Sequence, residues 1–384
     1  MKKTRCAILI FVWMSTVLSA QSISDIFDTN TSKEISFFTK EGDLDMSEYM
    51  SQAYGFLPIP IIITEPAVGY GGGLTLVYLH DTLIGQKSSS GRRIPPSISG
   101  VVAVRTENGT QGFGGFHIGY WLEDTLRTAT YIGKPNVFID IYAGNQAIQL
   151  NVDGVLFYQS VKKRIGESAW FLGASYMYVK SDINLDFDLK PIVKEETIAS
   201  VSLIAEYDTR NNQLTPINGM FLSVRAQIYD DDVGGDYNFV NYKMTSLFYN
   251  NINDKINLDF SVVGETVEGD KREIAPYLYP FVSMRGVPAM KHQGGSVVTL
   301  QTELSYNFTP RWEGTLFGGV GKAFSRQVAK SNVSFSESSN IVAGGVGFRY
   351  LIAEKFGLKA GVDIATSKDR QTFYIQMGTA WRGF

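Results

Sequence analysis

Ile198-Ala-Ser-Val-Ser-Leu-Ile-Ala-Glu-Tyr-Asp208 alternates: Ala199, Val201, Leu203, Ala205 and Tyr207 take one face, and Ser200, Ser202, Glu206 and Asp208 the other. Successive side chains of an extended strand point to opposite sides, so the stretch predicts a strand with one apolar and one polar face. The chain then reads Thr209-Arg-Asn-Asn-Gln-Leu-Thr-Pro-Ile-Asn-Gly219 before alternation resumes, with Leu222, Val224, Ala226 and Ile228 opposing Ser223, Arg225 and Gln227. Pro216 and Gly219 fix a turn between the two strands, and Asp208 and Arg210 can pair beside it.

The same design recurs on both sides. Ile256, Leu258, Phe260 and Val262 oppose Asn257, Asp259, Ser261 and Glu265; Val298, Leu300, Leu304, Tyr306 and Phe308 oppose Thr299, Gln301, Glu303 and Asn307. Segments of about ten residues with this period are those of a strand set between lipid and a polar lumen. Repeated from 55–64 to 371–382, they give roughly sixteen strands, an even number as bacterial barrels require. The predicted fold is all-β, a transmembrane antiparallel β-barrel of the outer-membrane type over residues 55–384, closing near Phe384.

Composition agrees. The chain has 38 Gly, 24 Phe and 20 Tyr, suited to many strands joined by tight turns. A net charge of -3 gives no basic footprint for nucleic acid, and three histidines (His80, His117, His292) leave little for a metal site. His117 is a candidate lumen residue, but no nucleophile pattern accompanies it. Neither an enzyme, a cofactor nor a metal is expected.

Residues 1–20 read as an export signal, with Lys2, Lys3 and Arg5 before an apolar core and Ser19-Ala20 at its end. The single cysteine, Cys6, would depart with it. Residues 21–54 form an acidic segment, expected in the periplasm, with weak helical periodicity over Met46 to Ala53. Turn lengths orient the barrel: Glu123-Asp124, Asn251 to Asp254, Thr309 to Arg311 and Ala353-Glu354 are short and share one side, the periplasmic one. Asp81 to Pro96 is long yet falls on that side, so either it is a genuine periplasmic loop or the first strand is misplaced.

Three segments resemble a known family. These are Tyr207 to Phe221, the tetrapeptide Met284-Arg285-Gly286-Val287 in the longest external loop, and the opening Gly55-Phe-Leu-Pro-Ile-Pro-Ile-Ile-Ile-Thr-Glu-Pro-Ala-Val-Gly-Tyr-Gly-Gly-Gly73. Together they resemble the bacterial surface antigen barrel of the BamA/TamA superfamily, in a short form without POTRA domains. The resemblance implies that the Arg285 loop folds into the lumen and pins its arginine to carboxylates on late strands. Glu303 and Asp363 face the lumen by alternation and are the candidate partners, with Glu265 behind them. Where the family has an aspartate, this chain has Gly319, and Val287 replaces the usual aromatic. Pro58 and Pro60 remove two amide donors from the first strand, which must meet the last near Ile61 and Ile375, with Trp381 as the terminal aromatic of that last strand.

The resemblance further implies insertion or translocation of protein or lipid in the outer membrane. The expected partners are outer-membrane lipid and a periplasmic protein or a second barrel. The competing readings are a small-solute pore gated by the Arg285 loop and a structural barrel that recruits a periplasmic partner.

Overall fold

The computed structural model describes residues 36–384 except 53–54, 66, 82–85, 88–92, 144–145, 186–191, 213–214, 270–273, 327–331, 380 and 382–384. The expected signal, the first part of the acidic segment and Phe384 lie outside the described residues.

Among the described residues sixteen strands form the wall. They are β1 (Gly55–Ile63), β2 (Gly71–Leu79), β3 (Ile98–Thr106), β4 (Gln111–Trp121), β5 (Leu126–Ala143), β6 (Gln146–Arg164), β7 (Trp170–Leu185) and β8 (Ile192–Asp208). There follow β9 (Gly219–Tyr229), β10 (Phe239–Asn253), β11 (Ile256–Gly269), β12 (Ser296–Asn307), β13 (Trp312–Arg326), β14 (Ile341–Ala353), β15 (Leu358–Ser367) and β16 (Gln371–Met377). Each pairs antiparallel with the next in sequence, from β1–β2 to β15–β16. Gly55 and Met377 lie at one end, called the tail end; the other is the loop end. The first strand is placed as its sequence predicts, so the long connection after β2 does lie at the tail end. No described helix is long and apolar enough to cross a membrane, a test that does not bear on strands.

Alternation sorts the two faces. Leu203, Val224, Phe260, Leu300, Leu304 and Val346 are exposed on the outside, while Ser200, Ser202, Glu206, Ser261, Glu265 and Thr299 are buried within. Outward aromatics gather just above the tail-end turns. Trp170 meets Tyr207 at 5.1 Å between centroids, and Trp312 stacks on Phe348 at 4.8 Å. Such a girdle is where amphipathic rings settle at a membrane interface.

The lumen departs from the expected uniform polarity. Towards the loop end, Val137, Ile139, Leu150, Val152, Val179 and Ile183 turn inward with Tyr277, Leu278, Phe281 and Met290 of the β11–β12 connection to make an apolar core. The strands supplying it are long, 18 residues in β5 and 19 in β6.

At the tail end, helix α1 (Ser47–Gln52) docks beneath β13–β16, where helical periodicity was expected. Met46 and Met50 pack with Ala353, Phe356, Leu358 and Met377. The Met46 N–H donates to Ile352 O at 2.7 Å, and the Lys355 N–H to Ser47 Oγ at 3.0 Å. Asp45 starts the helix: its carboxylate accepts from the Ser47 N–H at 2.7 Å and pairs with Arg311 at 2.8 Å. Burial works to raise the Asp45 carboxyl, but the hydrogen bonds from Ser47 and Arg311 outweigh it and hold it below the ordinary carboxylate range.

Candidate functional site

The β11–β12 connection enters from the loop end and lies along the inner wall of β13–β16. Two glycines make room for it. A Cβ on Gly321 would lie 2.4 Å from Val282 Cγ1, and one on Gly319 would lie 3.0 Å from Met284 Sδ and 2.7 Å from Gln301 Cγ. The position where the family carries a carboxylate is therefore occupied by the loop itself, with Val282, Met284 and Val287 buried together against Ala323 and Ala343.

The tip is held by ions and by backbone. Arg285 reaches Asp363 at 2.6 Å through Nη1 and Glu303 through Nη2, and its guanidinium lies 3.4 Å from the centroid of the Phe317 ring. Asp363, fully buried, also takes Arg349 at 2.6 Å, so one carboxylate on β15 joins two guanidinium groups. Gly347 on β14 is required here, since a Cβ would come within 2.0 Å of Asp363 Oδ1. Gly286, at φ +87°, donates its N–H to Tyr374 Oη at 3.0 Å, and its carbonyl accepts from Ser367 Oγ at 2.7 Å. Near the mouth, Lys291 and His292 both meet Asp369, at 2.9 and 2.5 Å. The loop is thus tied to β12, β14, β15 and β16 across a span of the wall that includes the last strand. Glu265 stands apart: it accepts from Asn241 Nδ2 at 3.1 Å and faces Lys243 at 3.6 Å.

The turn motif forms a second ionic group at the tail end. Arg210 bonds Asp208 through Nε at 2.9 Å and Nη2 at 3.0 Å, and stacks over Phe221 at 4.5 Å. Arg127 joins them, 3.6 Å from Asp208, and both it and Arg164 lie against the Phe171 ring, at 3.9 and 4.3 Å from its centroid. Pro216 is buried and Gly219 takes φ +107°, where a Cβ would strike Thr209 O at 2.3 Å. Arg127, Arg164 and Phe171 lie on other hairpins, and nothing in the turn motif points to them.

The seam corrects two expectations. β16 ends at Met377, not near residue 382: Gly378 takes φ +74° and diverts the chain inward. Trp381 accordingly packs with Phe221, Leu247 and Tyr249 of the opposite wall, and its carbonyl accepts from Tyr249 Oη at 2.9 Å. It is no part of the seam. Ile61, for its part, has its side chain in the apolar core of the lumen, whereas Ile375 shares the outward parity of exposed Phe373. Among the described residues no ladder pairs β16 with β1. Contacts across the joint include the Ile375 N–H to Thr64 Oγ1 at 3.4 Å and the stacking of Tyr70 on Phe373 at 5.6 Å. Pro58 and Pro60 sit in β1 opposite Leu76 and Leu74 of β2. His117, expected in the lumen, faces outward with Phe113 and Trp121.

Sixteen antiparallel strands with apolar outer and ion-latched inner faces define an outer-membrane-type β-barrel. The fold is similar to that of BamA from Haemophilus ducreyi lacking POTRA domains 1–3, with a TM-score of 0.57 at 10% identity over 85% of this chain and 70% of that one. It is likewise similar to CdiB from Acinetobacter baumannii (TM-score 0.54, 8% identity, 84% and 59% covered) and CdiB from Escherichia coli (0.54, 10%, 83% and 61%). The chain thus spans about three fifths of the CdiB chains. No protein-family model matches the sequence, and no curated protein sequence matches it.

Proposed function

We propose that this chain is an outer-membrane barrel that assists insertion or translocation of protein or lipid, with the Arg285 loop as its plug and the β16–β1 seam as its lateral opening. The tail end faces the periplasm in this reading, where a periplasmic protein or a second barrel supplies the dock for clients. The observation that carries it is the seam: fifteen strand pairs form antiparallel ladders and the sixteenth forms none among the described residues. A joint without a regular ladder is the weakest place in a closed sheet, which supports reading it as a lateral opening for another strand or for lipid. The likeness to BamA supports the reading at the level of fold.

The test is a Thr64→Cys, Ile375→Cys pair, whose positions meet at the seam and whose background has no cysteine beyond Cys6. Oxidation should lock the seam and abolish function in cells, with recovery on reduction. A locked barrel that works normally contradicts lateral opening. Steady single-channel conductance unchanged by Arg285→Ala would favour a solute pore instead.

A further inference from the structure

On the outer face of β2–β6, towards the tail end, a row of polar side chains crosses the wall where apolar ones are the rule. Tyr78, Ser99, His117, Thr130 and Gln159 are successive register partners on five adjacent strands. Each shares the outward parity of an exposed apolar neighbour on its own strand: Leu76, Val101, Phe113, Ile132 and Phe157. Val161 and Leu172 are exposed on the tail side of the row, so on β6 it is bracketed by apolar surface above and below.

The row is internally bonded. Ser99 Oγ lies 2.8 Å from His80 Nε2 and 2.8 Å from His117 Nδ1, and Thr130 Oγ1 donates to Gln159 Oε1 at 2.6 Å. Rings wall it: Tyr78 meets His80 edge-on at 5.0 Å, and Trp121 covers His117 at 5.6 Å while bonding Thr128 Oγ1 at 2.9 Å. Each imidazole thus turns one nitrogen to Ser99, and the second, on His80 and on His117, has no hydrogen-bond partner among the described residues. Ser99 has one hydroxyl proton, so with both rings neutral it donates to one and accepts from the other, leaving one outer nitrogen a donor and the other an acceptor. A polar group turned out of the chain without a partner costs about 1–3 kcal/mol, so the pair calls for a polar group from outside the chain.

We propose that this row binds the phosphodiester headgroup of a phospholipid in the tail-side leaflet. A phosphodiester supplies only acceptor oxygens and a negative charge. The row answers with the outer N–H of one neutral imidazole, and with a cationic donor wherever a ring is protonated, and none of its residues is a carboxylate that would repel the anion. Its acyl chains would lie along the exposed apolar strip of Leu74, Leu76, Val101, Phe113 and Ile132 directly above. The inference needs the barrel to face lipid but not the translocation reading.

The experiment is native mass spectrometry of the full chain released from detergent, with short-chain phosphatidylglycerol, diacylglycerol or inorganic phosphate added. Phosphatidylglycerol should bind, and diacylglycerol should not. His80→Phe with His117→Phe, which keeps the rings, should weaken binding by about tenfold or more, the loss of one charge-assisted hydrogen bond or two. Ser99→Ala provides a second variant should the double one fail to show heat-modifiable migration on gels. Equal binding of diacylglycerol, binding untouched in the folded variants, or competition by millimolar phosphate alone would overturn the assignment.

Discussion

The wall from β6 to β11 and the seam from β15 through β1 to β2 follow the same alternating rule, yet they are held differently. The wall strands β6, β7 and β8 run 19, 16 and 17 residues and pair without a break, whereas β1 has nine and β16 seven. Backbone ladders secure the first region. In the second, side chains take over: Arg285, Gly286 and His292 of the loop bind β15, β16 and the turn between them, and α1 braces Met377 from below. The lesson is that a barrel can leave one joint without a ladder if a plug and a tail hold the strands beside it. The tip of the plug and the tail can each be altered at residues that do not touch the strands from β6 to β11.

The largest effect is expected at Asp363. Asp363→Ala removes the buried carboxylate of Arg349 and leaves Arg285 with Glu303 alone, and breaking such a buried pair costs about 3–5 kcal/mol. Unfolding in urea, followed by heat-modifiable migration, should show that loss, and a change below about 1 kcal/mol would mean the latch is not buried as described. Gly286→Ala comes next. The position has φ +87° and a Cβ would meet Ala365 Cβ at 3.2 Å, so about 1–2 kcal/mol of strain should fall on the loop. Limited proteolysis should detect it as faster cleavage between residues 274 and 293, with the wall fragments unchanged; equal cleavage would show that the tip is not fixed by this residue.

The smallest effect concerns α1. Asp45→Asn should weaken docking by only about 0.5–1 kcal/mol, because the pair with Arg311 is partly screened at the rim. Its folded carboxyl sits below the unfolded value, so this contribution is present above the unfolded value and is lost as pH falls through the folded one. A fluorophore on the tail should therefore report release on acidification, and release at the same pH in Asp45→Asn would count against the link.

Much of the fold was legible because lipid enforces a period of two. The sixteen strands and the outward faces of β8, β9, β11 and β12 follow from alternation alone. The apolar core near the loop end did not, since Val137, Ile139 and Ile141 face inward among residues that elsewhere mark the outside, and alternation says nothing about which side an apolar residue takes. Trp381 misled for a similar reason: it is in phase with Phe373, Ile375 and Met377, and only the positive φ of Gly378 takes it off the strand. The loop tetrapeptide was visible through resemblance, whereas Arg349 beside Asp363 and the clasp of Tyr374 and Ser367 on Gly286 depend on register between distant strands. The docking of α1 depends on the same kind of long-range contact.

Amide hydrogen exchange on the chain in lipid nanodiscs distinguishes a β16–β1 joint without a ladder from a wall that has one. Amides of β1 and β16 that point away from β2 and β15 should exchange at least about tenfold faster than those of β8 and β9, as about 1.4 kcal/mol or more of missing protection requires. Uniformly slow exchange in all four strands would mean that the seam is zipped, which contradicts a joint without a ladder.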